Sequence, residues 1–593
     1  MISGIYPVCA LALVTLSVLA CSDNTDVTPD ESVNDEVVSD NTEGAPIVTE
    51  VSPNVPEGSP NVTEDTVSPT AELPSLLDGS SALDNQIAND AFDAAGQSAR
   101  ASRIPTETVG AARNIILFVG DGMGISTVTA ARILEGQLNG QDGEENSLGW
   151  GLMPHSGLSK TYNVNAQTAD SAGTMTAIMS GVKTDASVLG VNENVEFGDC
   201  STQAGNELVS ALELAEIAGM STGIVSTARI THATPAATYA KTVDRGWEND
   251  SLLPAAAVAG GCVDIATQLV NFEPRLENRY PGLDVDGMEV AMGGGRRNFL
   301  PNDPAFNSND SDGGVEGART DGVDLTAVWR SLYPQGVYIT DQSGFDAINT
   351  ETTPQLFGLF DESHMEYEAH RINDIAGEPS LAQMTNTAIA ILDNNESGYF
   401  LAVESGRIDH GHHAGSAYGA LIDTIAFSDA VRVAMQNTDP ADTLIIVTAD
   451  HSHVFTMGGI AKRGNPILGL SVGIGQDTPA LAEDGQPYTT LAYANGLGFR
   501  NFGPNTNFDR TYTLEADPGR KDLSTVDTTS SGFHQEAMVP LIVESHGGED
   551  VGVYAQGPGA SLITGTAEQN ILFHVMNYAG NLAERANVVL NAR

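Results

Sequence analysis

The sequence predicts an α/β protein built on a large, mostly parallel β-sheet with helices on both faces. Three observations carry that expectation. Apolar runs of strand length recur from Asn114 onward, the runs are continuous rather than alternating, and segments with helical spacing of apolar residues separate them. Continuous apolar strands belong to sheets buried on both faces, which is how parallel sheets occur.

The elements follow in order. Ile115-Ile116-Leu117-Phe118-Val119 is the first strand, and it runs into Gly120-Asp121-Gly122-Met123-Gly124. In Asn206–Gly219, the positions Leu208, Ala211, Leu212 and Ala215 predict a helix that Gly219 stops. Gly223–Thr227 reads as a strand leading to Thr231-His232-Ala233-Thr234. Met384, Ala388, Ile391 and Leu392 line another helix face, and Tyr399–Val403 is a strand reaching Glu404. A helix at about 417–437 precedes the strand Leu444–Thr448, which leads to Asp450-His451. In open parallel sheets ligands bind beyond the carboxyl ends of the strands. Asp121, His232, Glu404, Asp450 and His451 are all expected just past such ends, so separate segments deliver metal-type ligands to one rim.

Composition excludes several classes. The chain has 593 residues, 26 basic and 78 acidic side chains and a formal net charge of -52. No basic patch exists to release counterions from a nucleic-acid backbone, and an electrostatic hold on anionic lipid is equally disfavoured. With 41% hydrophobic residues the chain can bury a core. The charge is uneven: no Lys or Arg precedes Arg100, and residues 22–99 carry 17 of the acidic side chains, leaving -35 for the remainder. We expect residues 22–105, rich in Ser, Thr and Pro, to be a disordered acidic tether, with a short helix allowed at 82–100 and the catalytic domain at 106–593. The remaining acidity reads as a solvated shell suited to saline surroundings, where screening reduces self-repulsion.

The apolar stretch Val8 to Ala20 is too short to span a bilayer core of ~30 Å and reads as an export signal. Residues 1–21 end in Val18-Leu19-Ala20-Cys21, a bacterial lipoprotein pattern that would leave Cys21 lipidated, although residues 1–7 carry no Lys or Arg. An ordinary cleaved signal with release to the medium is the alternative. With Cys9 and Cys21 so assigned, Cys200 and Cys262 are left either as one disulfide, worth a few kcal/mol, or as two thiols.

Seven of the twelve His lie in four short segments: His232; His410, His412 and His413; His451 and His453; and His546. Asp409 and His413 are four apart, so a helical turn places them on one face. With a distant His they form an N/O set suited to Zn²⁺. Asp450 and His451 supply two further N/O ligands, and Asp121 has two oxygens with which to bridge two metals. Glu404 and Thr234 are hard oxygen donors of the kind Mg²⁺ takes. His412 and His453 are expected beside the ligands or at the surface, and His155, His364, His370, His534 and His574 read as structural.

Ser171, in Thr168-Ala169-Asp170-Ser171-Ala172-Gly173-Thr174, is the candidate nucleophile. Small residues lead from it into an apolar stretch, so it is expected at a helix N-terminus, which favours an anion. No Gly-x-Ser-x-Gly elbow is present, and activation by a metal replaces that by a base. Arg245, in a chain so short of cations, reads either as a fork for two oxygens of a phosphoryl group or as a surface Arg paired with a nearby Asp.

Taken together these residues resemble the alkaline phosphatases over about 110–585. The segments that carry the resemblance are Gly120–Gly124, Asp170–Thr174, Thr231-His232-Ala233-Thr234-Pro235, Val403–His413, Thr448-Ala449-Asp450-His451-Ser452-His453 and His546-Gly547-Gly548-Glu549-Asp550. The match is closer to the animal enzymes than to the best-known enteric bacterial one, since both 232 and 410 are His and Cys200 and Cys262 fall where the animal enzymes have a disulfide. The resemblance implies phosphate monoester hydrolysis in two in-line displacements through phosphoserine at Ser171. It implies one Zn²⁺ on Asp409, His413 and His546, a second on Asp450, His451 and Asp121, and Mg²⁺ on Asp121, Thr234 and Glu404, with His232 and His410 behind the ligands. It further implies that Arg245 clamps phosphate while Asp170 orients it, that Phe360, Asp361 and Glu378 lie near a Ca²⁺ site, that residues about 458–535 form a crown insertion, and that the enzyme is a homodimer.

Two rivals remain at this level. A sulfatase or phosphodiesterase of the same superfamily is the nearer one, but Ser171 is followed by Ala-Gly-Thr rather than the Pro and Arg of a sulfatase motif. A lipid-tethered acidic Ca²⁺-binding protein without catalysis is the other, and the His set argues against it because Ca²⁺ takes oxygen ligands.

Overall fold

The computed structural model describes residues 110–593, except 309, 310, 312, 313, 505, 506, 509–511 and 513–518, together with Leu83, Gln86, Asn89, Asp90, Phe92, Asp93 and Gly96. The chain divides into two units, Met1–Ala71 and Glu72–Arg593, and every described residue belongs to the second. The signal at 1–21, Cys21 and most of the tether lie outside the described residues.

Ten strands form the central sheet: β1 (Asn114–Gly120), β2 (His155–Lys160), β3 (Ser221–Arg229), β4 (Val290–Gly294), β5 (Val337–Ile339), β6 (Leu356–Leu359), β7 (Tyr399–Ser405), β8 (Thr443–Ala449), β9 (Val551–Gln556) and β10 (Thr566–Glu568). Their order is β10-β2-β9-β8-β1-β7-β3-β4-β6-β5. Only β9 runs against its neighbours, β2 and β8; every other pairing is parallel. The four strands expected to carry ligands, β8, β1, β7 and β3, are adjacent in that order, so their carboxyl ends lie side by side, about 4.8 Å from one strand to the next.

The continuous apolar runs are explained by burial on both faces. Ile115, Leu117 and Val119 enter one core and Ile116 and Phe118 the other. The first core is completed by helices α2 (Ser171–Ser180), α3 (Ala211–Ile217) and α8 (Ile571–Gly580). The second is completed by α1 (Ile125–Leu138), α5 (Leu381–Leu392) and α7 (Ala417–Asn437). Two shorter helices, α4 (Ala233–Ala236) and α6 (Arg407–His413), sit beyond β3 and β7. A separate three-stranded sheet of Phe455–Met457, Leu491–Gly496 and Ala537–Pro540 lies in and around the expected crown region.

Three expectations are corrected. The helix expected over 206–219 is confined to Ala211–Ile217, because Ser210 and Glu213 form a reciprocal capping box that sets its start. Glu404 lies within β7 rather than past its end. The packed part of the chain starts before residue 106: Leu83, Gln86 and Phe92 are fully buried, with Phe92 against Phe573 and His574. Composition alone obscured this, since two apolar side chains within an acidic stretch are enough to dock it. Gln86 reinforces the contact by donating to Val209 O at 2.8 Å and accepting from Val209 N at 3.2 Å.

Cys200 and Cys262 form a disulfide, closing a span of 62 residues. In the second core, Phe427 of α7 is fully buried between Phe118 and Trp150, with ring centroids 5.8 and 5.4 Å away. Phe427→Ala is expected to cost about 3–5 kcal/mol, through lost transfer energy plus the cavity left between helix and sheet; equilibrium unfolding of the variant beside wild type measures it.

Candidate metal centre and nucleophile

Three groups of ligand atoms converge at the rim where β8, β1, β7 and β3 end. They are Asp409 with His413, His453 and His546; Asp121 with Asp450 and His451; and Asp121 with His232 and Glu404. Asp121 belongs to two of them, so the groups are contiguous.

The turn after β1 places Asp121. Gly122 adopts φ +67°, and a Cβ there would fall 2.4 Å from His453 Nε2. Only glycine meets both conditions. Its N–H donates to Asp450 Oδ1 at 3.1 Å, joining the ends of β1 and β8. Asp121 itself is fully buried, and its Oδ1 lies 3.3 Å from His451 Nε2. Thr234, in the first turn of α4, donates to Asp121 Oδ2 at 3.3 Å. Ser226 on β3 donates to Glu404 Oε2, whereas Glu404 Oε1 is buried with no hydrogen-bond partner in the structure. A buried carboxylate oxygen with nothing to hold it fits a cation in that position.

On α6, Asp409 and His413 share one face as the spacing requires, with Oδ1 and Nε2 3.4 Å apart. His546 Nε2 lies 3.5 Å from Asp409 Oδ1 and 3.1 Å from His413 Nε2. The far nitrogens of both rings contact carbonyls: His546 Nδ1 meets Ala169 O at 2.7 Å and His413 Nδ1 meets Glu544 O at 2.6 Å. With Nδ1–H donating, both Nε2 lone pairs face Asp409, the arrangement that orients imidazoles toward a metal.

His453, expected beside the ligands or at the surface, stands among them, and Glu544, which nothing in the sequence marked, stands behind it. His453 is buried, with Nε2 2.7 Å from Asp409 Oδ1 and Nδ1 2.6 Å from Glu544 Oε2. The Asp450-His451-Ser452-His453 alternation was the available signal, since residues two apart in extended chain share a face. His412 is also buried, between Thr127 Oγ1 and Tyr493 OH at 2.9 and 2.8 Å. His364, expected to be structural, stands against His410 and His232, with ring centroids 4.0 and 5.3 Å away.

Ser171 is the first residue of α2, capped by Asp170, which accepts from Gly173 N at 3.1 Å. Its Oγ lies 3.2 Å from His451 Nε2 and donates to Asp121 Oδ1 at 3.4 Å. Arg245 Nη1 donates to Asp170 Oδ2 at 3.2 Å, and its Nη2 lies 3.0 Å from His232 Nε2. Hydroxyl and guanidinium are thus held on either side of Asp170, next to the carboxylate groups.

The electrostatics follow from burial and from the crowding of like charges. Burial, followed by Asp450 and Asp409, pushes Asp121 up to about 7. Burial and then Asp121 push Glu404 well above the usual carboxylate range. Burial alone would lower His451, but Asp450 and Asp121 raise it to about 9. Burial and then His451 hold His546 down to about 3, so its ring is neutral and its lone pair available. The donor set fits divalent cations, with imidazole and carboxylate for zinc-type ions and oxygen alone for magnesium-type ions.

The same shifts fix a pH dependence for the metal-free protein. Asp121 holds a folded-state proton that the unfolded chain has released, so its contribution falls as pH rises from about 4 through 7. The His451 contribution is complete below about 6.5 and is lost as pH rises through 9. Chelated protein is therefore expected to lose melting temperature between pH 6.5 and 9, and readded divalent cation to stabilise it more at pH 9 than at pH 6.5. Thermal unfolding with and without chelator across that range tests both.

The sequence profile described as alkaline phosphatase matches residues 112–582. The chain is 43% identical over 471 residues to the tissue-nonspecific alkaline phosphatase isozyme of Rattus norvegicus, covering 79% of this chain and 83% of that protein. It is 41% identical over 475 residues to an alkaline phosphatase of Gadus morhua, covering 80% of this chain and 92% of that one. Among solved structures, the alkaline phosphatase of the Antarctic bacterium TAB5 superimposes with a TM-score of 0.52 at 22% identity over 80% of this chain and 99% of that one. That of Thermus thermophilus gives 0.54 at 22% identity over 82% and 97%; at these identities they speak for the fold alone. The profile match and the two animal relatives, together with the rim of ligands around a buried serine, place this chain in the alkaline phosphatase family.

Proposed function

We propose that this phosphatase cleaves phosphate monoesters by two in-line displacements at Ser171, forming and then hydrolysing a phosphoserine. The observation that carries this is the position of Ser171 Oγ, at the start of α2, within 3.4 Å of Asp121 and 3.2 Å of His451. In this reading Asp409, His413 and His546 hold one Zn²⁺ with His453 beside them. Asp121, Asp450 and His451 hold a second, and Asp121, Thr234 and Glu404 hold Mg²⁺ with His232 and His410 behind. Divalent cations bound there supply Lewis-acid activation of a hydroxyl or water and neutralise charge on entering and leaving oxygens.

The chain's own residues do the rest. The N-terminus of α2 turns backbone N–H groups toward the phosphoryl group and favours its negative charge. Arg245 clamps two phosphoryl oxygens, and Asp170 holds the guanidinium in place through its 3.2 Å contact. Ser171 Oγ attacks phosphorus, the ester oxygen departs on the opposite side, and water then enters from that side to release phosphate. Two bonds to phosphorus are thereby made and two broken, and Ser171 is restored.

The reading extends to calcium near Phe360, Asp361 and Glu378. Burial and then Asp361 push Glu378 well up, and its Oε2 is buried with no hydrogen-bond partner in the structure. It also places the mature enzyme outside the cytoplasm, tethered through lipid on Cys21, with a catalytic domain that runs to residue 593 and takes in the packed Leu83, Gln86 and Phe92. The apolar run before Cys21 supports this, and no helix among the described residues is long and apolar enough to cross a membrane. A homodimer is supported by the exposed apolar side chains Met538, Val539, Leu541 and Ile542 near the crown region.

Ser171→Ala is expected to lower turnover of p-nitrophenyl phosphate by at least about 10³-fold with zinc and magnesium supplied. Full activity in that variant overturns the nucleophile, and a wild-type preference for diesters or sulfate esters by orders of magnitude overturns the substrate class. Arg245→Ala is expected to weaken inhibition by inorganic phosphate by roughly 10- to 100-fold, as loss of a charge-assisted fork does; competitive inhibition constants measure it.

A further inference from the structure

Among the described residues, two that are not glycine adopt a positive φ: Asn581 at +50° and Ser187 at +69°. Asn581 follows the last turn of α8, where a left-handed asparagine is an ordinary way to end a helix. Ser187 ends no helix. It lies in the turn between α2 and the chain at 188–191, and a residue with a Cβ is strained in this conformation. Such strain persists only where the surroundings impose it, and it gathers at functional sites.

Ser187 is wedged into the ion pair of Asp170 and Arg245. Its N–H donates to Asp170 Oδ2 at 3.0 Å, the same oxygen that accepts from Arg245 Nη1 at 3.2 Å. Its carbonyl accepts from the main-chain N–H of Arg245 at 2.9 Å. One residue therefore holds both members of the pair, the carboxylate through its N–H and the backbone of the arginine through its C=O. The other Asp170 oxygen accepts from Gly173 N at 3.1 Å, so the carboxylate cannot turn to follow a displaced guanidinium.

The chain on each side of Ser187 is pinned independently. Beyond it, Leu189 N–H donates to Thr242 O and Thr242 N–H to Leu189 O, both at 2.9 Å. Val188 and Val191 pack with Val243 and Trp247 in a small core of their own. Before it, Val164 N–H donates to Thr184 O at 3.0 Å, and Asn165 Oδ1 accepts from Ala186 N at 2.9 Å. Asn163 Oδ1 accepts from Asp170 N at 2.9 Å and ties the same segment to the start of α2. With both approaches fixed, a left-handed turn is what joins them. Moving φ from +69° to the usual value near -60° rotates one peptide plane against the next by about 130°, which breaks the contact to Asp170 or the contact to Arg245.

We propose that Ser187 is a positioning residue for phosphate capture: its left-handed backbone sets the placement of Arg245 against Asp170, and so the aim of the guanidinium at the phosphoryl group. This role rests on the reading of Arg245 as the phosphate clamp. It belongs to the backbone, so it is judged by which side chains tolerate the conformation and not by the hydroxyl.

The test uses the full chain loaded with zinc and magnesium. It reads the competitive inhibition constant of inorganic phosphate against p-nitrophenyl phosphate, which does not depend on how much of a variant is folded. Ser187→Gly takes a positive φ freely and is expected to keep the constant within about twofold of wild type. Ser187→Val, whose branched Cβ opposes this conformation, is expected to raise it by roughly tenfold, as misaiming a charge-assisted fork does. Ser187→Thr is the milder branched variant; it is expected to raise the constant by roughly threefold, and it carries the test if the valine variant does not fold. In an Arg245→Ala background the same branched substitutions are expected to move the constant by less than about twofold, because their effect runs through the guanidinium. A constant unchanged by both branched variants overturns the proposal. So does an equal rise in the Arg245→Ala background, which marks a general disturbance of the site. A rise in Ser187→Gly as large as in Ser187→Val also overturns it, since the role then belongs to the side chain. If Arg245→Ala itself leaves the constant unchanged, the clamp assignment fails first, so the two failures are distinguishable.

Discussion

Four buried carboxylates crowd one rim, and the rest of the structure depends on their being held there. Asp121, Glu404, Asp409 and Asp450 are each buried, and Asp121 is raised by burial and by its acidic neighbours. Such a group is costly unless cations compensate it. His451, His453 and Arg245 supply part of the compensation from the chain, and divalent cations fit the remainder. The arrangement is tolerable only because each carboxylate sits on a rigid element: the turn after β1, the end of β7, the first turn of α6 and the turn after β8. A flexible segment would release its carboxylate to water.

Sheet order converts that requirement into geometry. β1 pairs with β7 on one side and β8 on the other, in register, so Gly120 stands level with Ser405 and Ala449. Residues that follow those positions emerge within one strand spacing of each other. Both faces of β1 are packed, and α2, which carries Ser171, is itself buried along its whole length. The nucleophile is therefore placed by core packing as much as by polar contacts.

Much of the site could be read along the chain because its ligands follow elements with clear periodicity. Asp121 and Asp450 come directly after continuous apolar strands, and Asp409 and His413 are one helical turn apart. Glu544 was hidden for the opposite reason, and whether His453 stood beside the ligands or at the surface stayed open. They come from distant segments, and neither is flagged by an element of its own; the antiparallel pairing of His546 with His453 brings this part of the chain to Asp409. His364 was hidden likewise, since nothing local marks it as a neighbour of His410. Leu83 and Phe92 were masked by acidic composition, because averaging over a window dilutes two core side chains among charges.

The sequence by itself determined the fold class, the strand ends that carry ligands, the kind of metal those ligands suit and the serine that follows Asp170. These are local properties, set by apolar periodicity, capping and donor chemistry within a few residues. Tertiary structure alone decided which strands are neighbours, that Glu404 keeps an oxygen unpartnered, and that Gly122 is obligatory beneath His453. Each of these depends on contacts between residues tens to hundreds of positions apart. Such contacts arise from packing two layers of helices on a ten-stranded sheet, and no local pattern encodes them.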